Sequence, residues 1–354
     1  MVKNQDIDKV ISNIKSDNDK KNEVISSGIK SFDYILGGGF QVGNKFQLVS
    51  ESSSGKTTLA LQISKNFCKQ GFNVLYIDSE NSLTKELLKS TGSYSYYEHK
   101  DDKIGELVII KESDFDTVSN KLDICLKSKY FKLIIIDSLA SLVNNCYVDI
   151  ENTKAVKSIV NNNTNYESRP INLFINKYSC LANKYNVIFL YINQYRNKVD
   201  PIKGTILKEY GNKVVRYASD VIIKLKKEKV ILWQDENKLF SDNEKDHSSI
   251  PATHTKLTFT LDKSNKMLTG TCIETYIKHG YGIDDDLDLL LNDIRNNNNI
   301  EKNGKYYYLK SEDIKLDGFI NLINHIVSTK TSKIIDDISD SFKLDDEGKL
   351  EIDF

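Results

Sequence analysis

No stretch of this 354-residue chain is long and apolar enough to span a bilayer. Its longest apolar runs, such as "LIII" and "VIFLYI", fall far short of the roughly 20 residues a spanning helix needs. The N-terminus "MVKNQDIDKVISNIK" is charged throughout, which argues against a secretory signal. The five cysteines (68, 125, 146, 180 and 272) are scattered, odd in number and form no CxxC pair. That argues against a disulfide framework or a cysteine zinc site and suits a reducing, cytoplasmic compartment. No internal repeat is visible. Net charge is also scarce, at −1, but unevenly spread: the last twenty residues hold eight acids against two lysines, a balance of −6, so residues 1–334 carry +5. A basic body with an acidic tail fits either a plain solvated, disordered end or an anionic partner whose access the tail moderates.

What is present is ordinary globular composition, 39% apolar and 28% charged, with length for about two or three domains. In residues 4–16, Ile7, Val10, Ile11 and Ile14 fall at helical spacing, followed by the polar run "KSDNDKKNE". Such a detached amphipathic helix buries its stripe either on a neighbouring subunit or on its own core. From residue 23 to 283 strands alternate with helices. "KFQLVS", "NVLYID", "KLIIID" and "VIFLYI" are short unbroken apolar runs, as expected of buried parallel strands. A helix runs from Thr57 to Cys68, and a second follows Pro170 with Ile171, Phe174, Ile175, Tyr178, Leu181, Ala182 and Tyr185 on one face. The order predicts a doubly wound α/β sheet. Residues 142–168 and 195–211 are long, polar and weakly periodic, and each follows a core strand end, where open parallel sheets place ligands. Residues 234–254 read as a solvent-facing excursion. Beyond Gly282 a small C-terminal α/β domain is expected to about residue 334.

The chemistry concentrates at "LVSESSSGKTTLALQ", residues 48–62. A phosphate-binding loop directs successive backbone N–H groups and a helix N-terminus at phosphates. Its lysine reaches the β- and γ-oxygens and the next hydroxyl ligates Mg²⁺. Gly55, Lys56 and Thr57 supply those groups, whereas Ser50 stands where the pattern has its first glycine. A serine fits there if its φ stays negative. Three more strand ends carry polar residues: Asp137 where a metal's supporting carboxylate belongs, Asp78 and Glu80 where a carboxylate can act on water, and Asn193 and Gln194 as amides for a γ-phosphate.

In order, "SSGIKSFDYILGGGFQVGNKFQLV", "ESSSGKTTLALQ", "LYIDSEN", "LIIIDSLASL", "IFLYINQYR" and "YGNKVVRYASD" resemble the RecA family of strand-exchange recombinases over residues 23–283. "HGYGID…IEKNGKYYYLKSEDI" resembles the bacterial RecA C-terminal domain. The segment after Asp137 is similar to the UvsX recombinases of tailed phages, which with the Asn/Lys/Ile-rich composition suggests a phage or mobile-element origin. The resemblance implies an α/β fold: a RecA-type P-loop ATPase core with a mainly parallel twisted sheet at 23–283. It further implies an N-terminal polymerisation helix and linker at 1–22, a small C-terminal domain at 284–334 and an acidic tail at 335–354.

It implies, too, that Ser50, Glu51, Ser52, Ser53, Ser54, Gly55, Lys56, Thr57 and Thr58 cradle ATP, and that Thr57 and Asp137 support Mg²⁺. Glu80 would be the catalytic carboxylate beside Lys56, and Gln194 the γ-phosphate sensor. Residues 142–168 and 195–211 would be the DNA loops, with Arg169, Arg196, Lys198, Lys203, Gly211, Asn212 and Lys213 at the DNA. Tyr195 or Ile206 would wedge between bases. Lys263 and Lys266 would reach a neighbouring subunit's phosphates, at a spacing one residue wider than in RecA. Further departures are Leu87 in place of an aromatic against adenine and a single glycine before Asn212. The expected activity is that of a DNA-dependent ATPase and recombinase, with single- and double-stranded DNA, copies of itself in a helical filament, and single-strand-binding and mediator proteins as partners. The rivals are a helicase-like RecA-superfamily motor and a non-hydrolysing DNA-coating protein.

Overall fold

A computed structural model describes residues 23–98, 104–142, 168–200, 204–234, 239–242 and 251–328. The N-terminal segment 1–22, nearly all of 142–168, Lys203 and the acidic tail lie outside the described residues.

In chain order the strands are β1 (Val24–Ile25), β2 (Phe40–Gln41), β3 (Lys45–Ser50), β4 (Val74–Asp78), β5 (Leu107–Lys111), β6 (Leu133–Asp137), β7 (Ile188–Asp200), β8 (Gly204–Glu209), β9 (Val221–Gln234), β10 (Phe240–Ser241), β11 (His254–Lys263), β12 (Cys272–Lys278), β13 (Gly282–Ile283), β14 (Ile300–Asn303), β15 (Tyr306–Leu309) and β16 (Ile314–Asp317). The main helices are α1 (Lys30–Leu36), α2 (Lys56–Lys69), α3 (Lys85–Ser90), α4 (Tyr94–Glu98), α5 (Phe115–Ser128), α6 (Ser168–Tyr185), α7 (Asn212–Ala218), α8 (Asp285–Asn296) and α9 (Phe319–Ser328).

The central sheet has the order β13-β12-β11-β9-β3-β7-β6-β4-β5. From β9 to β5 neighbours are parallel. Both faces of β3, β4 and β6 are covered, which is why these runs are apolar without alternation. The pleat sorts successive residues between two cores. Val74, Tyr76, Leu133, Ile135, Leu190 and Ile192 pack on the side of α1 and α2. Leu75, Ile77, Ile134, Ile136, Phe189 and Tyr191 pack on the side of α5 and α6. On α6, Ile171, Phe174, Ile175, Tyr178 and Ala182 are the buried face, as the helical spacing predicts.

One region fills in an edge that the expected mainly parallel sheet left unspecified, and two others depart from the sequence expectation. β11, β12 and β13 form an antiparallel wing on β9, so the sheet is mixed at that edge. Residues 195–211 are chiefly a hairpin: β7 runs on to Asp200 and β8 returns, with Tyr195 opposite Glu209 and Asp200 opposite Gly204. Their sequence lacks the strict alternation that a half-buried strand imposes, so it does not announce a two-stranded ribbon. The stretch 234–254, read as facing solvent, instead buries Phe240, whose N–H donates to Asn324 Oδ1 at 2.7 Å.

At the C-terminal end, α8, the separate sheet β14-β15-β16 and α9 share a cluster with Leu232, Phe240 and Tyr276 of the core. Tyr276 stacks on Phe319 with centroids 5.8 Å apart. Asp284 caps α8 by accepting from the Leu287 N–H at 2.9 Å.

Candidate active site

The loop between β3 and α2 opens onto a cleft of about 310 Å³ lined by Ser52 to Thr58 together with Glu80, Asp137 and Gln194. Four parallel strands deliver these groups, because β3, β4 and β6 end, and β7 leaves its parallel pairing at Gln194, along one edge of the sheet. Ser50 ends β3 in extended backbone and is fully buried, so the missing glycine costs no left-handed φ. The left-handed positions are Ser53 (φ 58) and Gly55 (φ 94). Gly55 is required by its φ, which side-chain-bearing residues rarely adopt, and a Cβ there would in addition push on Ile277 Cδ1 at 2.7 Å.

Lys56 Nζ donates to Ser50 Oγ at 2.8 Å and to the Glu51 carbonyl at 2.6 Å. Ser50 Oγ also hydrogen-bonds Ser54 Oγ. Burial lowers the Lys56 pKa, and the charges of Asp137 and Glu80 oppose that shift. Thr57 Oγ1 donates to Asp137 Oδ2 at 2.7 Å. The Tyr76 hydroxyl donates to the same oxygen at 2.7 Å. Burial pushes the Asp137 carboxyl up to about 6, against the hydrogen bonds from Tyr76 and Thr57, with Glu80 and Asp78 adding to the rise.

Asp78 and Glu80 part company. The Asp78 carboxylate accepts from the backbone N–H groups of Ser82 and Leu83, both at 3.0 Å, and so shapes the turn after β4. Glu80 lines the cleft, its Oε1 accepting from Ser138 Oγ at 2.5 Å and Ser141 Oγ at 3.2 Å. Gln194 is tied through its backbone to the hairpin: the Tyr210 N–H donates to the Gln194 carbonyl at 3.1 Å, and Asn193 Nδ2 donates to the Tyr210 carbonyl at 2.9 Å.

The donors suit a nucleoside triphosphate with Mg²⁺. A 14-residue helix starts at the loop, an ammonium stands beside it, and a hydroxyl–carboxylate pair offers the hard oxygens Mg²⁺ prefers. Thr57 and Asp137 would hold the metal, and the loop from Ser52 to Thr58 the phosphates.

The remaining expected residues lie elsewhere. Arg196 and Lys198 are on the extension of β7, Arg169 is in the first turn of α6, and Gly211 (φ 77) precedes Asn212 at the start of α7. Lys213 is exposed. Lys263 Nζ donates to the carbonyls of Arg216, Tyr217 and Ser219 at 3.0, 3.2 and 2.6 Å, capping the C-terminus of α7 in its own chain. Lys266 is exposed on the turn between β11 and β12. Leu87 packs against the core on the α2 side of the sheet.

Tyr76, Ser138 and Ser141 went unread in the sequence. Tyr76 sits inside an apolar strand and reads as core. The serines follow Asp137 in "DSLAS", where a serine-rich turn carries no sign of its partner.

The family model for the RecA N-terminal domain matches residues 3–254. The chain is 29% identical over 307 residues to the protein RecA of Phytoplasma mali, across 86% of this chain and 81% of that protein. It is 30% identical over 206 residues to the protein RecA of Fusobacterium nucleatum, across 58% of this chain and 50% of that one. It is 28% identical over 209 residues to the mitochondrial DNA repair protein recA homolog of Dictyostelium discoideum, across 59% and 43%. The chain thus matches half or less of the length of these last two relatives.

Proposed function

Because the chain belongs to the RecA family, we propose that it is a DNA-dependent ATPase and recombinase that polymerises on single-stranded DNA and exchanges it into a homologous duplex. One observation carries this reading. Lys56, the Thr57–Asp137 pair, Glu80 and Gln194 meet in a single cleft, and the last of them is hydrogen-bonded to the root of a hairpin bearing basic residues.

Lys56 leaves Ser50 and the Glu51 carbonyl to meet the β- and γ-oxygens of ATP. Mg²⁺, when bound, neutralises charge on those oxygens. Glu80 orients a water and takes its proton, while the Ser138 and Ser141 hydroxyls hold the carboxylate in place. Gln194 touches the γ-phosphate, so nucleotide state reaches the hairpin through the Gln194–Tyr210 backbone bond. DNA is held by phosphate contacts from the hairpin and its flanks, with Arg196, Lys198, Lys203 and Lys213 as the cations. Lys263 reaches a neighbouring subunit only by giving up its three carbonyl partners. The segment 1–22 serves polymerisation, residues 284–334 form a small accessory domain, and a phage or mobile-element source belongs to the same reading.

Electron microscopy of the protein with single-stranded DNA, ATP and Mg²⁺ tests it. Helical filaments are expected. Closed rings would favour a helicase-like motor, and bare DNA would overturn the proposal.

A further inference from the structure

We propose that Tyr76 is a positioning residue for the metal carboxylate, its buried hydroxyl selecting which oxygen of Asp137 faces a bound Mg²⁺. The inference rests on the nucleotide-site reading above and adds to it a residue that no loop motif contains.

The geometry is specific. β4 and β6 are parallel neighbours with Tyr76 opposite Ile135 and Asp78 opposite Asp137. The ring of Tyr76 lies on the α2 side of the sheet, fully buried among apolar neighbours, and its hydroxyl reaches two residues along the adjacent strand to Asp137. Asp137 is 2% exposed. Both Thr57 and Tyr76 donate to Oδ2, each at 2.7 Å. That double anchor fixes the rotation of the carboxylate and leaves Oδ1 as the oxygen that would face a bound Mg²⁺. Thr57 cannot do this alone, since its oxygen must also turn to the cation. A phenylalanine would fill the same volume in the same core. The hydroxyl is therefore the only part of the side chain that packing does not require, and its partner is the one acid placed for the metal. Groups that orient a metal's ligands typically matter by 10–100-fold in metal affinity.

The test compares wild type with Tyr76→Phe in the full chain, following binding of a fluorescent ATP analogue across an Mg²⁺ titration and in EDTA. With the hydroxyl gone, the Mg²⁺ concentration at half-saturation should rise about 10-fold. Binding in EDTA and the thermal midpoint should stay close to wild type. The same substitution in an Asp137→Asn background should leave the Mg²⁺ dependence unmoved, because the oxygen it positions is gone. An unchanged Mg²⁺ titration would overturn the proposal. So would an equal loss of binding in EDTA, which marks a merely structural tyrosine. A wild type that binds no nucleotide under either condition would instead remove the site reading itself.

Discussion

Ser50→Ala isolates the one position where the phosphate loop breaks its pattern. Ser50 Oγ accepts from the Lys56 ammonium at 2.8 Å in a fully buried position, and the Glu51 carbonyl accepts from it at 2.6 Å. A hydrogen bond to a charged group contributes about 1.5–3 kcal/mol. Lys56 keeps the Glu51 carbonyl in the variant, so only part of that stabilisation of the parked lysine disappears, about 1 kcal/mol. A phosphate that must draw Lys56 away then meets a smaller cost, and ATP should bind roughly five-fold tighter at saturating Mg²⁺. Ser50→Gly removes the same hydroxyl and should tighten binding similarly, while lowering fold stability by roughly 0.5–1 kcal/mol at a strand end. Isothermal titration with a non-hydrolysable ATP analogue reads the difference, with Lys56→Ala as the control that abolishes tight binding. Weaker binding by Ser50→Ala would mean that Ser50 presents Lys56 to the phosphates and does not hold it back.

Three further outcomes are expected for the site, the core and the DNA path, and a fourth for the tail. Glu80→Gln should cut ATP turnover by ~10²–10⁴-fold while filaments still assemble on DNA; turnover within a few-fold of wild type would remove Glu80 from the chemistry. Asp33, buried and accepting from the Ser27 N–H at 2.7 Å, has its carboxyl pushed by burial from 3.8 up to about 6. The folded chain then holds that proton to higher pH than the unfolded one, so stability falls as pH rises from about 4 to about 6, by about 3 kcal/mol from this group. Asp33→Asn should flatten that part of the pH profile of denaturant unfolding, and an unaltered slope would refute the assignment. Lys203→Glu and Arg196→Glu should weaken single-stranded DNA binding and reduce its log–log salt slope by roughly 0.7 for each phosphate no longer neutralised; binding at wild-type strength would take the hairpin off the DNA path. Truncation after Ile334, which takes the net charge from −1 to +5, should speed association with duplex at low salt; equal rates at low and moderate salt would make the tail a passive end.

Much of the site was legible because its parts are local. A phosphate loop needs its glycine, lysine and hydroxyl consecutive in the chain, so "SGKT" can be read without knowing any contact. The strands that deliver Asp137, Glu80 and Gln194 are equally plain, since a parallel strand buried on both faces must be an unbroken apolar run. The antiparallel wing was less visible. β11 does carry the alternation of a half-covered strand, with Leu257, Phe259 and Leu261 set between polar residues, but that pattern does not say which neighbour it pairs with or in which direction. What the tertiary structure alone decided are relations across strands. Asp78 and Glu80 stand two residues apart with the same chemistry, yet the turn after β4 consumes the first carboxylate on the Ser82 and Leu83 amides and leaves the second in the cleft. Lys263 reads as a free cation until the carbonyls at the end of α7 close around it. Tyr76 reads as core, and in volume it is. Its hydroxyl acquires a role because sheet register sets Asp78 beside Asp137, bringing the ring within reach of that carboxylate across 61 residues of sequence. A linear pattern records what a residue can do; which partner it meets is set by strand order and register, and these form only when the whole sheet does.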